Sequence, residues 1–99
     1  MGRKPCQLIL YVTGENERAQ KTVTTLKKIC TEYLNGSHEL HVVDVLERPD
    51  IARREKIFVT PSLERAAPQP RRRVVGDFLD ADVIVKRLAL GAFLDKQRE

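Results

Sequence analysis

A proline inside an apolar run is the feature that most constrains how this chain folds. Residues 56–63 read KIFVTPSL, so the run stops at Thr60-Pro61 and resumes with Ser62 and Leu63. Proline has a fixed φ and no N–H, and it pushes the preceding residue into extended geometry. Pro61 therefore fits the first residue of a strand, or a cis turn, better than the middle of a sheet. Because cis bonds are a minority even before proline, the dipeptide alone favours an ordinary trans proline between two elements.

The chain before this proline alternates strand and helix. Residues 7–13 are apolar on both faces, which is typical of an interior strand. A helical spacing of apolar residues follows, with Asn16 as its N-cap and Asn35-Gly36 at its end. The β-branched residues in 40–46 predict a second strand. A strand, a helix and a strand in this order indicate a parallel pair with a right-handed crossover.

The second half of the chain contains shorter predicted elements. Residues 49–55 begin with proline and indicate a short helix. The prolines in 66–73 indicate a turn, and residues 73–75 indicate a short strand before a glycine. From Asp80, a candidate N-cap, the pattern predicts a final helix, although residues 83–85 taken alone favour a strand. The predicted class is α/β, in the order strand-helix-strand-helix-strand-strand-helix, with a mixed four-stranded sheet.

Length and composition limit the classes of protein that this chain can belong to. With 99 residues, 41% hydrophobic and 32% charged, we expect a single domain over residues 1–99, because a second core does not fit. No apolar run reaches the roughly 18–20 residues of a membrane span, and no signal-peptide pattern appears, so we expect a cytoplasmic protein. The net charge of +4 permits a polyanionic partner, but 18 basic and 14 acidic residues also suit a protein that binds proteins.

The residues able to carry chemistry do not form a catalytic or metal-binding pattern. Cys6 and Cys30 have no C-x-x-C spacing and no further ligands, so we expect two buried structural thiols and no metal or cofactor. His38 and His41 lie three apart around a strand and point to opposite faces, which prevents joint chelation. Asp44 is the one acid in an apolar strand, and a structural hydrogen bond suits it better than acid–base catalysis. None of these residues is therefore a predicted catalytic or metal-binding residue.

The run Arg71-Arg72-Arg73 has three interpretations: a solvated loop, a nucleic-acid patch and a protein-binding edge. Aromatic residues make up only 5% of the chain, whereas single-strand binders stack bases on them. No recognition-helix motif is present either. These observations count against nucleic acid and leave the solvated loop and the protein-binding edge open.

The element order resembles thioredoxin, and the resemblance reaches particular residues. The segments VDV at 43–45, PDIA at 49–52 and TPSL at 60–63 are similar to the central part of a thioredoxin, whose corresponding proline is cis. The resemblance therefore implies a cis Thr60–Pro61 bond. Thioredoxin chemistry needs a reactive thiol pair at the start of the first helix, where this chain has residues 14–17, GENE. A degenerate thioredoxin-like redox protein is one alternative function, and a basic nucleic-acid-binding module is another.

Five segments, in order, resemble the KaiB family of bacterial clock proteins. They are LILYVTG at 8–14, VVDVL at 42–46, PDIA at 49–52, KIFVTPSL at 56–63 and RRVVGD at 72–77. This resemblance implies a non-enzymatic partner of the ring ATPase KaiC, which in cyanobacteria also helps to capture KaiA. It implies a protein able to form homo-oligomers, with a tetrameric ground-state fold and a second, thioredoxin-like fold that binds KaiC. By the same resemblance, the positions that face KaiC are Lys56, Arg65, Arg72 and Arg73.

Two departures from the family pattern refine these expectations. In the last element, which the resemblance implies is the fold-switch region, Arg87 and Ala89 stand where cyanobacterial members carry glycine and aspartate. Because Arg and Ala favour helix by up to about 1 kcal/mol over Gly, we expect one helix from Asp80 onward and the thioredoxin-like form. Glu39 and His41 replace a small residue and a lysine in the strand that meets KaiA, so KaiA is not an expected partner. We expect a KaiB-like protein that works with its own KaiC-type ATPase, in clock-like timing or stress adaptation.

Overall fold

Four strands form one mixed sheet in the computed structural model, which describes residues 5–34, 38–76 and 80–91. The strands lie in the order β2-β1-β3-β4, with β1 parallel to β2 and with β3 antiparallel to both of its neighbours. A mixed four-stranded sheet was predicted, and it is confirmed. The strands are β1 (Cys6–Val12), β2 (His38–Asp44), β3 (Ser62–Ala67) and β4 (Arg72–Val75).

Within the described residues, three helices connect and cover these strands in the predicted order. The Asn16 side chain accepts a hydrogen bond from the Ala19 N–H at 2.8 Å, which confirms Asn16 as the N-cap of the first helix. Asp80 caps the last helix in the same way, through the N–H of Asp82 at 2.8 Å. None of the described helices has the length and apolar character needed to cross a membrane. The helices are α1 (Glu17–Tyr33), α2 (Pro49–Arg54) and α3 (Ala81–Arg87).

The main core lies on one face of the sheet, against α1 and α3. Alternate residues of β1 point to this face because successive side chains of a strand point to opposite sides. Helix α1 contributes residues at spacings of four, as its apolar period predicts. The fully or almost fully buried apolar residues of this core are Cys6, Leu8, Leu10, Val12, Leu26, Cys30, Leu34, Leu63, Val74, Ile84, Leu88 and Leu90.

Several predicted elements have different ends in the structure. The strand predicted over 40–46 ends at Asp44, because the Asp44 carboxylate accepts the Leu46 N–H at 2.9 Å and turns the chain. The turn predicted over 66–73 begins later, since Gln7 pairs with Ala67 and keeps that residue in β3. The Thr60–Pro61 bond is cis, as the resemblance implied. The bonds before the other two prolines of this region, Pro68 and Pro70, are also cis.

The helix predicted from Asp80 onward is shorter than expected and ends at Arg87. Ala89 has a φ of 53°, and the Leu90 N–H donates to the Val85 carbonyl at 2.9 Å. This is a Schellman motif, in which glycine usually occupies the left-handed position that Ala89 holds here. The prediction that helix propensity at Ala89 supports the last helix is therefore wrong, because Ala89 lies outside α3. Arg87 does lie in the last turn of α3, where its charge is favourable.

We predict that Ala89→Gly stabilises the protein, because glycine adopts a positive φ without the steric penalty of a Cβ atom. The expected gain in the free energy of unfolding is about 1 kcal/mol. Ala52→Gly in α2 is the matched control, since it removes the same methyl group from helical backbone and should cost roughly 1 kcal/mol. Urea denaturation followed by circular dichroism measures both. A lower unfolding midpoint for Ala89→Gly would contradict the left-handed geometry.

Candidate partner-binding surface

The turn from β1 into α1 carries no thiol, and both cysteines lie away from it. Residues 14–17 of this turn read GENE. Cys6 lies in β1 and Cys30 in α1, and both are buried in the core. Burial raises the pKa of each thiol to about 11, because a thiolate is poorly solvated there. This environment is the opposite of the electropositive, accessible one that activates a cysteine nucleophile.

Hydrogen bonds to the Asp44 carboxylate tie the loops together at this end of the sheet. Its carboxylate accepts the N–H of Gly14 at 2.8 Å and the N–H of Leu46 at 2.9 Å. Gly14 has a φ of 76°, a conformation that glycine adopts most readily. The hydroxyl oxygens of Thr13 and Thr60 are 2.6 Å apart, which joins the β1–α1 turn to the residue before the cis proline. The structural hydrogen bonding predicted for Asp44 is confirmed.

Lys56 occupies the left-handed position that follows α2. Its φ is 57°, its N–H donates to the Arg53 carbonyl at 3.3 Å, and the Ile57 N–H donates to the Ala52 carbonyl at 2.8 Å. This is the same Schellman motif that follows α3, again without glycine. The Lys56 side chain is exposed and has no ion-pair partner within residues 5–34, 38–76 and 80–91. A strained backbone beneath an unpaired charge points to a function for the side chain.

The arginine run contains two residues with ion pairs and one, Arg72, without an ion pair among the described residues. Glu64 in β3 is almost fully buried, and its carboxylate lies 2.6 Å from the Arg71 guanidinium and 3.0 Å from that of Arg73. Arg73 also donates to the Glu55 backbone carbonyl at 2.9 Å, which links β4 to the end of α2. Arg72 points to the other face of the edge strand and has no ion pair in the described part of the chain. The buried carboxylate of Glu64 thus offsets part of the positive charge of the run.

Arg65 does not lie with the other predicted partner-binding residues. It is 5% exposed, and its guanidinium donates to the Pro70 carbonyl at 2.7 Å and to the Ala89 carbonyl at 3.0 Å. Arg65 shares its sheet face with Leu63, so strand alternation directs it to the core side. The prediction that Arg65 contacts a partner is therefore corrected. In this fold it ties the β3–β4 turn to the segment after α3.

Of the four predicted partner-binding residues, the structure brings Lys56 and Arg73 into direct contact. The guanidinium of Arg73 donates to the Lys56 backbone carbonyl at 3.3 Å, so these two cations lie together on the α2 side of the sheet. Glu64 is the functional neighbour that sequence reasoning missed. The contact could have been predicted from the hairpin register, which pairs Glu64 with Arg73. Predicting that register requires the correct position of the turn between β3 and β4.

Solved structures with the same arrangement define the fold class. The chain is similar to the N-terminal domain of Synechococcus elongatus SasA, with a TM-score of 0.73, 23% identity, and coverage of 91% of this chain and 85% of that one. It is also similar to chloroplastic thioredoxin z, with a TM-score of 0.68, 21% identity, and coverage of 88% and 78%. At these identities the similarity concerns the fold alone. The protein has a thioredoxin-like fold.

Sequence comparison identifies the family within this class. The model of the KaiB domain matches residues 9–90. The circadian clock oscillator protein KaiB of Prochlorococcus marinus subsp. pastoris is 37% identical over 90 residues, covering 91% of this chain and 84% of that protein. The chain therefore belongs to the KaiB family of circadian clock proteins, as its five segments indicated.

We predict that Arg73 and Glu64 are energetically coupled. Arg73→Met should lower the free energy of unfolding by about 2–3 kcal/mol, less than a fully unpaired buried charge would cost because Arg71 remains beside Glu64. Adding Glu64→Met should restore part of this loss, with a coupling energy of about 1 kcal/mol or more in a double-mutant cycle. Arg72→Met is the control, because it removes an exposed charge from the neighbour of Arg73. It should change the free energy of unfolding by less than about 0.5 kcal/mol. Strictly additive effects of the two changes would contradict the ion pair.

We also predict that the protein does not catalyse thiol–disulfide exchange. A pKa of about 11 leaves about one thiolate in a thousand at pH 8, so Cys6 and Cys30 should react with a disulfide reagent only as the protein unfolds. Reaction with dithionitrobenzoate should accelerate sharply through the urea transition. Turnover in an insulin-reduction assay that disappears in Cys30→Ser would contradict this assignment.

Proposed function

We propose that this chain is a non-enzymatic, KaiB-like regulatory protein that binds a KaiC-type ring ATPase, in clock-like timing or stress adaptation. A cytoplasmic location and action without a cofactor belong to the same proposal. Membership of the KaiB family supports it. The observation that carries it is the charge of Lys56, which has no ion pair among the described residues and stands in a position where glycine would fit with less strain. The proposed contact consists of Lys56, Arg72 and Arg73, which we call the basic surface.

Lys56 is suited to recognition because the backbone beneath it is fixed. The hydrogen bond from Ile57 to Ala52 closes α2, and Arg73 donates to the carbonyl of Lys56 itself. An ordered backbone reduces the entropy lost when the side chain engages a partner carboxylate. Arg72 reaches the same partner from the other face, because β4 is an edge strand that a partner can contact from both sides. Contacts of this kind weaken as salt screens the charges.

The two alternative functions have less support. A redox role lacks an accessible thiol, since the chain's two cysteines are both buried. A nucleic-acid role depends on several free cations along the phosphate backbone, whereas the described residues leave one arginine of this run, Arg72, without an ion pair. KaiA is not part of the proposal. Glu39 and His41, the residues that depart from the family in β2, both contact the side chain of Gln7, at 2.8 Å and 3.2 Å.

The sharpest test uses a change that stabilises the fold while removing the charge. Lys56→Gly should raise the free energy of unfolding by about 1 kcal/mol, since glycine relieves the left-handed strain. The same change should weaken binding to the KaiC-type ATPase encoded in the same genome by about tenfold, the value of one lost charge-assisted contact. Titration calorimetry at low and physiological salt measures the affinity.

Ala89→Gly is the matched control, because it relieves the same strain in the second Schellman motif without changing any charge. It should stabilise the protein and leave the affinity unchanged. Lys56→Gly that is stabilised and binds the ring as tightly as the wild type would place the interface elsewhere. Equal affinity for duplex DNA of arbitrary sequence at physiological salt would favour the nucleic-acid module instead.

A further inference from the structure

Exposed apolar side chains concentrate at the end of the sheet where the cis proline lies. Five large hydrophobic residues are exposed in the described part of the chain, and four of them lie in loops or at a strand terminus at this end. Scattered single residues of this kind are normal on a protein surface, but a shared location marks an interaction site. The four residues are Leu46, Phe58, Val59 and Val75, and we call them the apolar end surface.

Hydrogen bonds and strand pairing bring three of these residues together. Val75 pairs with Ser62 across β3 and β4, and the Ser62 hydroxyl donates to the carbonyl of Val59. The Gly76 N–H donates to the Pro61 carbonyl at 3.0 Å, which holds the end of β4 against the loop. Phe58 is the residue next to Val59, so Phe58, Val59 and Val75 surround one ordered loop.

Leu46 extends the surface across the sheet. Its Cδ1 atom lies 3.5 Å from where a Cβ atom on Gly14 would stand, so it packs over the β1–α1 turn. That turn is joined to the loop before Pro61 by the contact between the Thr13 and Thr60 hydroxyls. The apolar end surface therefore follows the loops that meet at this end of the sheet.

Phe58 is the most prominent member of this surface. It is 87% exposed, although an aromatic ring of this size normally lies in a core. The preceding Ile57 is fixed by its hydrogen bond to Ala52, and Thr60 is fixed by Thr13, so the chain on both sides of Phe58 is held. An aromatic ring on an ordered loop loses little entropy when it enters a pocket, which is the usual character of a binding hot spot.

The charges beside Phe58 indicate what kind of partner fits. Lys56 lies two residues away without an ion pair in residues 5–34, 38–76 and 80–91, and the guanidinium of Arg73 contacts its carbonyl. On the far side, near Leu46, the carboxylates of Glu15, Asp44 and Glu47 lie within 4.8 Å of one another. A complementary partner therefore has an apolar cleft with carboxylates on the side that meets Lys56. Such opposed charges fix the orientation of a complex.

We propose that Phe58 is the anchor of the complex, and that it inserts into an apolar cleft of the KaiC-type ATPase whose Lys56-facing rim is acidic. This proposal rests on the proposed function and adds to it the chemistry of the partner's pocket. The basic surface then sets orientation and association rate, while Phe58 supplies most of the affinity.

Phe58→Ala should weaken binding to the purified KaiC-type ATPase of the same genome by roughly 30-fold or more, as truncation of a hot-spot aromatic does. Phe58→Leu keeps an apolar side chain and should bind within about threefold of the wild type. Val42→Ala is the control, since it shortens the fifth exposed hydrophobic residue, which lies within β2, and should not change the affinity. The unfolding midpoint of each variant verifies that the fold is unchanged.

The outcomes separate this proposal from the proposed function. Loss of binding in Phe58→Ala with rescue by Phe58→Leu supports the anchor. Wild-type protein that does not bind the ring overturns the proposed function, and the anchor with it. Binding by the wild type and by Phe58→Ala with equal affinity overturns the anchor alone. Sedimentation velocity gives the remaining outcome: a wild-type oligomer that Phe58→Ala dissociates, with ring binding unchanged, would assign the apolar end surface to a second copy of this chain.

Discussion

The hydrogen bond from the Ile57 N–H to the Ala52 carbonyl is the contact on which the proposed surface depends. It closes α2 at 2.8 Å and forces Lys56 into a left-handed conformation. After the helix, Ile57 is partly buried and Phe58 is exposed. The hydroxyl contact between Thr60 and Thr13 fixes the other end of the same loop. One short segment thus presents both a cation and an aromatic ring with little freedom to lose on binding.

The same fold supports a different use of the sheet end from that of a redox enzyme. A thioredoxin needs a stabilised thiolate there, whereas in this chain the Asp44 carboxylate accepts structural hydrogen bonds from the N–H groups of Gly14 and Leu46. Its two thiols, Cys6 and Cys30, lie in the core, where burial raises their pKa. What is exposed at this end is apolar and charged surface, which is suited to recognition.

Local patterns predicted most of the fold, because each depends on residues close together in the chain. The Asn16 cap, the buried Cys30 face of α1 and the element order follow from spacings of three and four and from strand composition. The pairing of Glu64 with Arg73 depends on the register of β3 and β4, which a misplaced turn conceals. The burial of Arg65 depends on which face of β3 meets the core. The end of α3 depends on the burial of Leu90 in the core. This burial places Ala89 outside the helix, in a left-handed conformation, despite the high helix propensity of alanine.

Hydrogen–deuterium exchange of the protein with and without the KaiC-type ATPase of the same genome tests the central claim most directly, because it locates the contact without a mutation. If the cis-proline end of the sheet binds the ring, amides in residues 56–62 and in β4 should become protected, while those of the opposite edge strand, β2, keep their free rates. Protection confined to β2, or no protection at all under saturating ring, would contradict the account.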